Sequence, residues 1–263
     1  MRVPEHVIQK RRDQVASLLS QFRYLPVSEL CQRLQISEAT ARRDLAALER
    51  ERRITRTYGG ALSDYNANFP SFRQRQTANA AAKRLIGRAA RNLLKPGQTC
   101  YLDGGTTPFA VAEALREDPV SPLTVLTCNI PCAELLAPVE GLQIYLLGGR
   151  FLARQSVLLG DTARRSLGHW HIDVAFLGAE GITAEGFWNS QEEIIRLQRA
   201  AARRSKCTVI CADATKLGQR TPFFVLPWSS SVVLLTEAPP ARLKSSGIQL
   251  PADRLLRASE KTS

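Results

Sequence analysis

The stretch Tyr101–Ala110, YLDGGTTPFA, combines residue types that hold anions and hydroxyl-rich ligands. A short apolar run is followed by a carboxylate, two glycines and two hydroxyls, namely Asp103, Gly104, Gly105, Thr106 and Thr107. Glycine lets backbone N–H groups approach a phosphate, and the start of the helix that follows favours a negative charge. The carboxylate and the hydroxyls suit a polyol. The loop therefore predicts a site for a phosphate-bearing or hydroxyl-rich ligand, which the protein either transforms or senses.

Four other predicted strands end in residues of the same kinds. Apolar runs at 123–127, 143–147, 173–178 and 207–212 alternate with helical patterns, which is typical of an α/β domain with a mainly parallel sheet. In such a sheet, ligands bind where the carboxyl ends of the strands meet the amino ends of the helices. The residues that follow these runs are Thr127, Cys128, Asn129, Gly148, Gly149, Arg150, Ala179, Glu180, Gly181, Asp213, Thr215 and Lys216.

Each strand end alone has an ordinary explanation. A Gly-Gly-Thr-Thr run is more often a tight turn, and Asp213 is also suited to capping a helix. The convergence of five such ends favours a ligand site. We expect its effector-binding residues to be Asp103, Gly104, Gly105, Thr106, Thr107, Asn129, Gly148, Gly149, Glu180 and Lys216.

Other kinds of site lack their motifs. The sequence contains no Walker A loop, no G-x-S-x-G elbow and no G-x-G-x-x-G dinucleotide fingerprint, so no cofactor is expected. The six cysteines form no C-x-x-C pair and lie far from the three histidines, so no metal is expected. In KCTVICAD, cysteine serves as a small apolar residue of a buried strand, which fits reduced thiols in the cytoplasm.

A second set of residues lies in an N-terminal helical unit. Residues 5–57 have the pattern of three helices with a basic hairpin after them, and a tight turn joins the last two helices as in a helix-turn-helix. The third helix, in ISEATARRDLAALERER, buries an apolar face, and Ser37 is placed to cap its start. A small residue, a hydroxyl and two arginines project from its first two turns, namely Ala39, Thr40, Arg42 and Arg43. In a recognition helix these turns enter the major groove, where arginine contacts guanine or phosphate.

The stretch RRITRTYGGA follows that helix and predicts a wing, a basic hairpin that contacts the DNA backbone or minor groove. The alternative is a solvated helix face with i,i+4 charge pairs, but the residues four positions after Arg42 and Asp44 are uncharged. We therefore expect DNA contacts from Ser37, Ala39, Thr40, Arg42, Arg43, Arg53 and Arg56.

The charge of the whole chain supports a polyanionic partner. The 263 residues carry a formal net charge of +12, and residues 1–60 contain 12 Lys/Arg against 7 Asp/Glu, so the positive charge is densest there. The hydrophobic fraction of 44% is that of a globular protein with a substantial core. No apolar run reaches the roughly 18 residues that span a bilayer. The charged N-terminus has no secretory apolar region, so we expect a cytoplasmic protein.

The composition divides the chain into a small and a large domain. Residues 1–60 are expected to form a winged helix-turn-helix, and 61–75, rich in Gly, Asn, Ser and Pro, a linker. Residues 76–237 are expected to form the α/β effector-binding domain, and 238–263 a tail that frays.

These segments also resemble a known family. LPVSELCQRLQISEATARRDLAALERERRITRTYGGA, with its SEAT-x-RRDL core and GGA ending, resembles the N-terminal domain of the DeoR family of bacterial transcriptional regulators, over residues 7–61. Within 75–236, YLDGGTT, LTVLTCN, LLGG, DVAFLGAEGI and ICADATKLG stand in the order of that family's effector domain, which is similar in fold to ribose-5-phosphate isomerase.

The resemblance implies a homo-oligomeric, operator-binding repressor of carbohydrate metabolism that responds to a phosphorylated sugar and has no membrane partner. It implies that the loop 103–107 holds the ligand, that Glu180 lines the pocket and that Lys216 is a charge partner of the ligand. Two departures predict an altered pocket. Cys128-Asn129 follows Thr127 where the family has Asn-Ser, and bulky Phe187 and Trp188 follow the GI dipeptide.

The rival interpretation is an active sugar-phosphate isomerase fused to a DNA-binding domain. Isomerisation needs a carboxylate base with help from an acid. Glu180 offers one carboxylate, but glycines stand at 178 and 181, where the isomerase pattern clusters further carboxylates. A structural or RNA-binding protein would need aromatic stacking surfaces, which an aromatic content of 6% does not supply. We expect a regulator and not an enzyme.

Overall fold

The computed structural model describes residues 4–22, 24–51, 53–57, 60–63 and 70–259. The chain divides into two compact units, Met1–Phe69 and Pro70–Ser263. The described elements of the first unit are α1 Glu5–Phe22, β1 Tyr24–Pro26, α2 Val27–Leu34, α3 Glu38–Arg50, β2 Ile54–Thr57 and β3 Gly60–Ser63.

The first unit is a helix-turn-helix with a β-hairpin after its third helix. Gln35, at a φ of +52°, ends α2, and Ser37 caps α3 by accepting a hydrogen bond from the backbone N–H of Thr40 at 3.3 Å. Strands β2 and β3 form the antiparallel hairpin, and β1 extends it in the order β1-β3-β2. The predicted buried face of α3 is confirmed, because Ala41, Leu45 and Leu48 of this helix lie in the core of the unit. The other buried residues of that core are Val15, Leu19, Leu25, Val27, Leu30, Ile54 and Ala61.

A buried ion pair joins α1 to α3. Asp44 is only 2% exposed, and its carboxylate accepts hydrogen bonds from Arg11 at 2.6 and 3.2 Å and from Arg12 at 3.4 Å. The hydrogen bond to Asp44 raises the pKa of Arg11, although partial burial opposes the shift. A two-pronged guanidinium–carboxylate contact has strict geometry, so this pair sets how the two helices pack.

The second unit contains most of the described chain. Its elements are α4 Phe72–Thr77, α5 Ala80–Arg91, β4 Thr99–Leu102, α6 Thr106–Glu117, β5 Leu123–Thr127, α7 Ile130–Leu136, β6 Leu142–Leu146, β7 Arg150–Leu152, β8 Val157–Leu159, α8 Asp161–Leu167, β9 Ile172–Gly178, β10 Gly181–Thr183, β11 Gly186–Asn189, α9 Glu192–Arg204, β12 Ser205–Cys211, β13 Phe223–Pro227, β14 Val232–Thr236, α10 Pro240–Ser245 and β15 Leu255–Arg257. Single 3-10 turns cover Ala214–Lys216 and Ala252–Arg254.

A seven-stranded sheet in the order β15-β14-β12-β9-β4-β5-β6 forms the centre of this unit, and its strand pairs are parallel. Alternate side chains of each strand enter two different cores. Cys100 and Leu102 pack with residues of α5, α6 and α7, whereas Tyr101 packs with residues of α8, α9 and α10. The predicted α/β domain with a mainly parallel sheet is confirmed, and its helices lie on both faces of the sheet. An antiparallel sheet β10-β11-β13 and a hairpin β7–β8 adjoin it.

The interval 61–75, predicted to be a linker, has described residues at both ends, and its residues 64–69 lie outside the described part of the chain. Its first residues continue strand β3, and Phe72–Thr77 forms α4. Ser71 and Gln74 form a reciprocal capping box at the start of α4. The ring of Phe72 is buried and meets the ring of Phe109 edge-on at 5.3 Å. A cap and one buried aromatic residue therefore give residues 71–77 a helical structure that the composition of the interval does not predict.

The C-terminal tail also differs from its prediction. The interval 238–263 was expected to fray, but β15 pairs with β14 as the last strand of the sheet. Leu243 and Ile248 are 5% and 3% exposed in the core beneath it. The apolar residues of the tail are widely spaced and give no periodic pattern, but most of the described ones pack in the two cores that flank the sheet.

Candidate functional site

The residues predicted to contact DNA lie on the exposed face of α3. Ala39, Arg42 and Arg43 are exposed, and Thr40 is half-buried. The hydroxyl of Ser37 lies 2.9 Å from that of Thr40, so both side chains also take part in capping the helix. The Nε of Arg43 donates to the backbone oxygen of Ala39 at 3.2 Å, which draws the arginine back along its own helix.

Arg42 has a partner that the sequence interpretation overlooked. Its guanidinium donates to Glu38 at 2.9 and 2.5 Å, an i,i−4 ion pair between two exposed side chains. The residue four positions after Arg42 is uncharged, and on that basis the sequence predicts that charge pairs explain little of this face. For Arg42 that prediction is wrong, because Glu38 lies four positions before it. An exposed pair of this kind stabilises a helix by only about 0.3–0.5 kcal/mol, so a phosphate can replace Glu38 at small cost.

Arg53, at the start of the hairpin, is turned toward α1. It donates to Asp13 at 2.8 Å and to Glu51 at 3.4 Å. The hydrogen bond to Asp13 raises the pKa of Arg53 against the effect of partial burial. The side chain of Arg56 lies outside the described residues, as do Arg52 and Gly59. The predicted contacts of the wing with DNA remain predictions.

In the second unit, the loop 103–107 joins β4 to the amino end of α6. Gly105 is the N-cap of α6, and Thr106 and Thr107, its first two residues, are 6% and 8% exposed. A side chain at position 104 would collide with Val157, since a Cβ there would lie 2.5 Å from its Cγ1. The loop thus needs glycine at 104 for close packing against β8, and it presents the amino end of a three-turn helix at the edge of the sheet.

Asp103 is a buried anchor at this edge. Its Oδ2 accepts hydrogen bonds from Gln198 Nε2 at 2.7 Å and from the backbone N–H of Gly178 at 3.1 Å. The hydroxyl of Tyr101 lies 3.4 Å from Oδ1, and Asp103 is 3% exposed. Burial raises the pKa of Asp103, and the hydrogen bonds oppose the shift, that from Gln198 most strongly. These contacts join the ends of β4 and β9.

Two other strand ends carry buried polar atoms that have no hydrogen-bond partner among the described residues. Asn129 is fully buried, and its oxygen accepts from the backbone N–H of Cys132 at 3.2 Å while its Nδ2 has no partner. Asp213 is 1% exposed, and its Oδ1 accepts from the backbone N–H of Thr215 at 3.0 Å while its Oδ2 has no partner. An unpaired buried amide or carboxylate oxygen costs roughly 1–3 kcal/mol, which a polar ligand would offset.

Glu180 and Lys216 lie on neighbouring segments. Glu180 precedes β10, and its backbone N–H donates to Trp188 on β11 at 3.1 Å. The turn that holds Lys216 runs beside β10, because Ile182 pairs with Leu217 and accepts a hydrogen bond from Gly218 at 2.8 Å. Both side chains are half-buried. The structure brings the predicted carboxylate and lysine to the same region of the sheet edge.

Gly148 and Gly149 form the turn from β6 to β7. A side chain at Gly149, which has a φ of +136°, would meet the backbone oxygen of Leu159 at 2.3 Å. Gly148 lies against Thr162 on α8. This turn lies at the same edge of the sheet, since the backbone N–H of Leu147 donates to Thr127 at the end of β5 at 2.8 Å. Its closest contacts are with β8 and α8.

Lys83 is a charged residue of this region that the sequence interpretation missed. It lies on α5, is 7% exposed, and its ammonium donates to the backbone oxygens of Arg75 and, at 2.5 Å, of Ala78, at the end of α4. Its pKa is lowered to about 8, chiefly by burial; Lys216 and Arg75 also lower it, and Asp213 and Glu113 oppose the shift. The electrostatic effects of Asp213 and Lys216 show that Lys83 lies near the end of β12. The signal available in the sequence was a lysine at a core position of the helix before β4.

The carboxylate of Asp213 also contacts the start of α5. Asn79, at a φ of +54°, lies 3.4 Å from Asp213 Oδ1 and 3.4 Å from Thr215 Oγ1. The junction between α4 and α5 is therefore held by Asn79 and Lys83, and both residues adjoin the turn that carries Lys216.

Comparison with known proteins agrees with both halves of this description. Residues 11–66 match the DeoR-like helix-turn-helix domain, and residues 78–238 match the DeoR C terminal sensor domain. The chain belongs to the DeoR family. It is therefore a DNA-binding transcriptional regulator with a sensor domain, as the sequence resemblance predicted.

Individual relatives are similar over nearly their whole length. The HTH-type transcriptional repressor GlcR of Bacillus subtilis is 31% identical over 90% of this chain and 93% of its own. The glycerol-3-phosphate regulon repressor of Escherichia coli is 29% identical over 88% of this chain and 91% of its own. These DeoR-family relatives are named as transcriptional repressors and not as enzymes.

Among solved structures, ribose 5-phosphate isomerase A from Methanocaldococcus jannaschii is similar to 53% of this chain and 55% of its own, with a TM-score of 0.39 and 16% identity. Within the described residues, no group of three histidine, cysteine or acidic side chains is placed to hold a metal ion. In the same part of the chain, none of the helices combines the length and the apolar character that crossing a bilayer requires.

Proposed function

We propose that this DeoR-family chain represses genes of carbohydrate metabolism and that a phosphorylated sugar, bound by its second unit, changes its affinity for operator DNA. Two relatives support the proposal, one named as a transcriptional repressor and one as a glycerol-3-phosphate regulon repressor. The protein would act in the cytoplasm, as a homo-oligomer that places two helix-turn-helix units on an inverted or direct pair of half-sites.

For the DNA interface we propose the exposed face of α3 and the hairpin. Arg43 has no carboxylate partner within the described residues, so it can reach a base edge without breaking an ion pair. Arg42 would exchange Glu38 for a phosphate. The other members of the proposed interface are Ser37, Ala39, Thr40, Arg53 and Arg56.

For the effector site we propose the carboxyl edge of the seven-stranded sheet. The observation that carries this proposal is that two strand ends hold buried polar atoms without a partner among the described residues, Asn129 Nδ2 after β5 and Asp213 Oδ2 after β12, and that Asp213 lies near Lys83 and Lys216. An amide donor and a carboxylate suit the hydroxyls of a sugar, and Lys83 and Lys216 suit its phosphate. The amino end of α6 offers further N–H donors. The proposed effector-binding residues are Asp103, Gly104, Gly105, Thr106, Thr107, Asn129, Gly148, Gly149, Glu180, Lys216 and, in addition, Lys83 and Asp213.

Within this site, Asp103 would act by positioning. Its carboxylate already accepts hydrogen bonds from Gln198 and Gly178, so its part would be to fix the loop 103–107 next to the ligand.

Lys83 would both bind the phosphate and hold the end of α4. Its ammonium holds the end of α4, the first helix of the second unit, and a phosphate that attracts this ammonium would compete with those carbonyl oxygens.

A thermal-shift screen tests the effector site. Glycerol 3-phosphate and a set of pentose and hexose phosphates are added to the full-length chain, with the unphosphorylated compounds as controls. At least one phosphate ester should raise the melting temperature, because a ligand that binds only the folded state stabilises it. Lys216→Ala should abolish the shift. Lys206→Ala should keep it, because Lys206 is 80% exposed at the start of β12 and pairs with Asp173. Equal shifts in both variants would refute the assignment.

A further inference from the structure

Strand β6 forms an open edge of the seven-stranded sheet. It pairs with β5 in continuous register, and its other side pairs with no strand of the described chain. The sequence of β6, LQIYL, contains no charge and no proline. Proteins usually blunt a free sheet edge with lysine, proline or a bulge, because an unprotected edge can pair with another strand. Strand β6 has none of these features.

Exposed apolar side chains are concentrated beside this edge. Four large apolar side chains of the described residues are exposed, and three of them lie on β6 and β7: Tyr145 at 44%, Leu146 at 43% and Phe151 at 52%. The ring of Tyr145 packs on the half-buried ring of Trp170, with centroids 4.6 Å apart. We call Tyr145, Leu146, Phe151 and Trp170 the edge patch. Tyr145 and Leu146 are neighbours on β6 and therefore face opposite sides of the sheet, so this end of the strand exposes apolar side chains on both faces. Exposed apolar surface beside an unpaired strand marks a protein interaction site.

We propose that the edge patch and β6 bind a second copy of this chain, with the two β6 strands antiparallel across a two-fold axis at Ile144. In this register Ile144 of one copy lies opposite Ile144 of the other. Leu142 then lies opposite Leu146, and Gln143 lies opposite Tyr145. Aliphatic residues therefore meet aliphatic residues on one face, and no like charges are opposed. The two sheets become one continuous sheet with no free edge at this side.

The charges that flank β6 fit the antiparallel arrangement. Glu140 is exposed two residues before the strand, and Arg150 is 65% exposed after it. Antiparallel pairing brings the beginning of one strand to the end of the other, so Glu140 of each copy approaches Arg150 of its neighbour. Arg150 already pairs with exposed Glu193 on α9, and an exposed pair of this kind exchanges partners at little cost.

The size of the apolar surface is also suitable. Two aromatic rings and a leucine, each about half exposed, offer roughly 300 Å² to a partner. A standard protein interface buries about 800 Å² on each side around an apolar centre. The edge patch can supply that centre, and the backbone groups of β6 supply directional hydrogen bonds around it.

The interface rests on the homo-oligomer of the proposed function. Sedimentation equilibrium of the full-length chain tests it without DNA or effector, so its failure is distinguishable from a failure of operator or effector binding. The wild-type mass should be that of a dimer or a multiple of it, and Leu146→Lys combined with Phe151→Lys should halve it. Val7→Lys is the matched control, because Val7, at 41%, is the fourth exposed large apolar side chain. Its mass should equal that of wild type. A monomeric wild type would overturn the proposal, and so would a double variant whose mass equals that of wild type.

Cysteine cross-linking tests the register and does not require that the lysine variants fold. Paired residues of antiparallel strands have Cα atoms about 4.5–5.5 Å apart, within the range that a disulfide spans. Ile144→Cys should therefore form a covalent dimer on mild oxidation. Gln143→Cys should not, because it would lie opposite Tyr145, and the wild-type chain with its six free cysteines gives the background. Equal cross-linking of the two variants, or none above wild type in Ile144→Cys, would contradict the proposed pairing.

Discussion

Gln198 on α9 donates hydrogen bonds from its Nε2 to Asp103 Oδ2 at 2.7 Å and to the backbone oxygen of Gly178 at 2.8 Å. One fully buried amide thereby joins the ends of β4 and β9, the strands at the centre of the sheet. Its own oxygen lies 3.4 Å from the amide nitrogen of Asn189. This contact fixes Asp103, the first residue of the loop 103–107. The geometry of the loop therefore depends on Gln198, which is 95 positions away in the sequence.

Gln198→Leu should destabilise the second unit by about 1.5–3 kcal/mol, since the buried carboxylate of Asp103 loses its shortest hydrogen bond. Urea unfolding measures the loss, with exposed Gln219→Ala as a control that should change little. The hydrogen bond from Gln198 lowers the pKa of Asp103, so without it that pKa rises further. The loss should therefore be larger at neutral pH and smaller in acid, where the carboxyl group is protonated. Gln198→Leu should cost less in a chain that already carries Asp103→Asn. If it costs as much there as in the wild-type chain, Gln198 and Asp103 do not contribute to stability through their contact.

Phosphate-ester binding should weaken as the pH rises through about 8, the pKa of Lys83, because the ligand favours the ammonium form. The groups that influence this lysine are Asp213, Lys216, Arg75 and Glu113. Calorimetric titration between pH 7 and 9.5 measures the affinity, and Lys83→Arg, which keeps its charge, should remove the decline. A decline of equal size in that variant would exclude Lys83 as its source.

Without ligand, Lys83 should make the folded state more stable as the pH rises, whereas ligand binding weakens over the same range. Its folded-state pKa of about 8 lies below the ordinary value of 10.5, so the fold disfavours the charged form. That cost is fully present below about pH 8 and decreases as the pH rises toward 10.5. Relative to Lys83→Arg, the wild-type chain should thus gain stability over this interval, which thermal unfolding at several pH values would measure.

Arg43→Ala should weaken specific DNA binding by about tenfold or more, the loss expected for one arginine contact to a base. Arg50 provides the matched control. It lies two turns further along α3 and makes the same backbone contact, Nε to the oxygen of Ala46 at 3.3 Å against 3.2 Å for Arg43 and Ala39. Arg50→Ala should change the affinity less, because the first turns of a recognition helix enter the groove. Anisotropy titrations at fixed salt would decide, and equal losses would indicate only general charge attraction.

The sequence pattern predicted the helix-turn-helix, the parallel sheet and the residues at its carboxyl edge, because each rests on local periodicity or on the order of strands and helices. The contacts that hold these residues could not be predicted in the same way. Asp44 meets Arg11 across 33 positions, and Lys83 and Asn79 lie near the turn after β12, more than 130 positions later. Such pairs arise from packing, and a single sequence carries no periodic signal for them.

Two segments, 70–75 of the predicted linker and the described part of the tail 238–263, contain elements that their composition does not predict, and the cause is the same for both. Their overall composition is typical of loops, but a few residues decide their structure. Ser71 and Gln74 cap α4, and Leu255–Arg257 adds one short strand to an existing sheet. A three-residue strand is stable only because β14 lies beside it, and this neighbour cannot be inferred from the composition of the tail.

The most direct test of the central claim is the affinity of the full-length chain for a DNA duplex that it selects from a random pool, measured by anisotropy with and without phosphorylated sugars. At least one phosphate ester should change the affinity about tenfold, a typical coupling between two sites, and its unphosphorylated counterpart should not. The response should disappear in Lys216→Ala and persist in Lys206→Ala. DNA affinity that no phosphate ester alters, or a response that Lys216→Ala retains in full, would contradict the account.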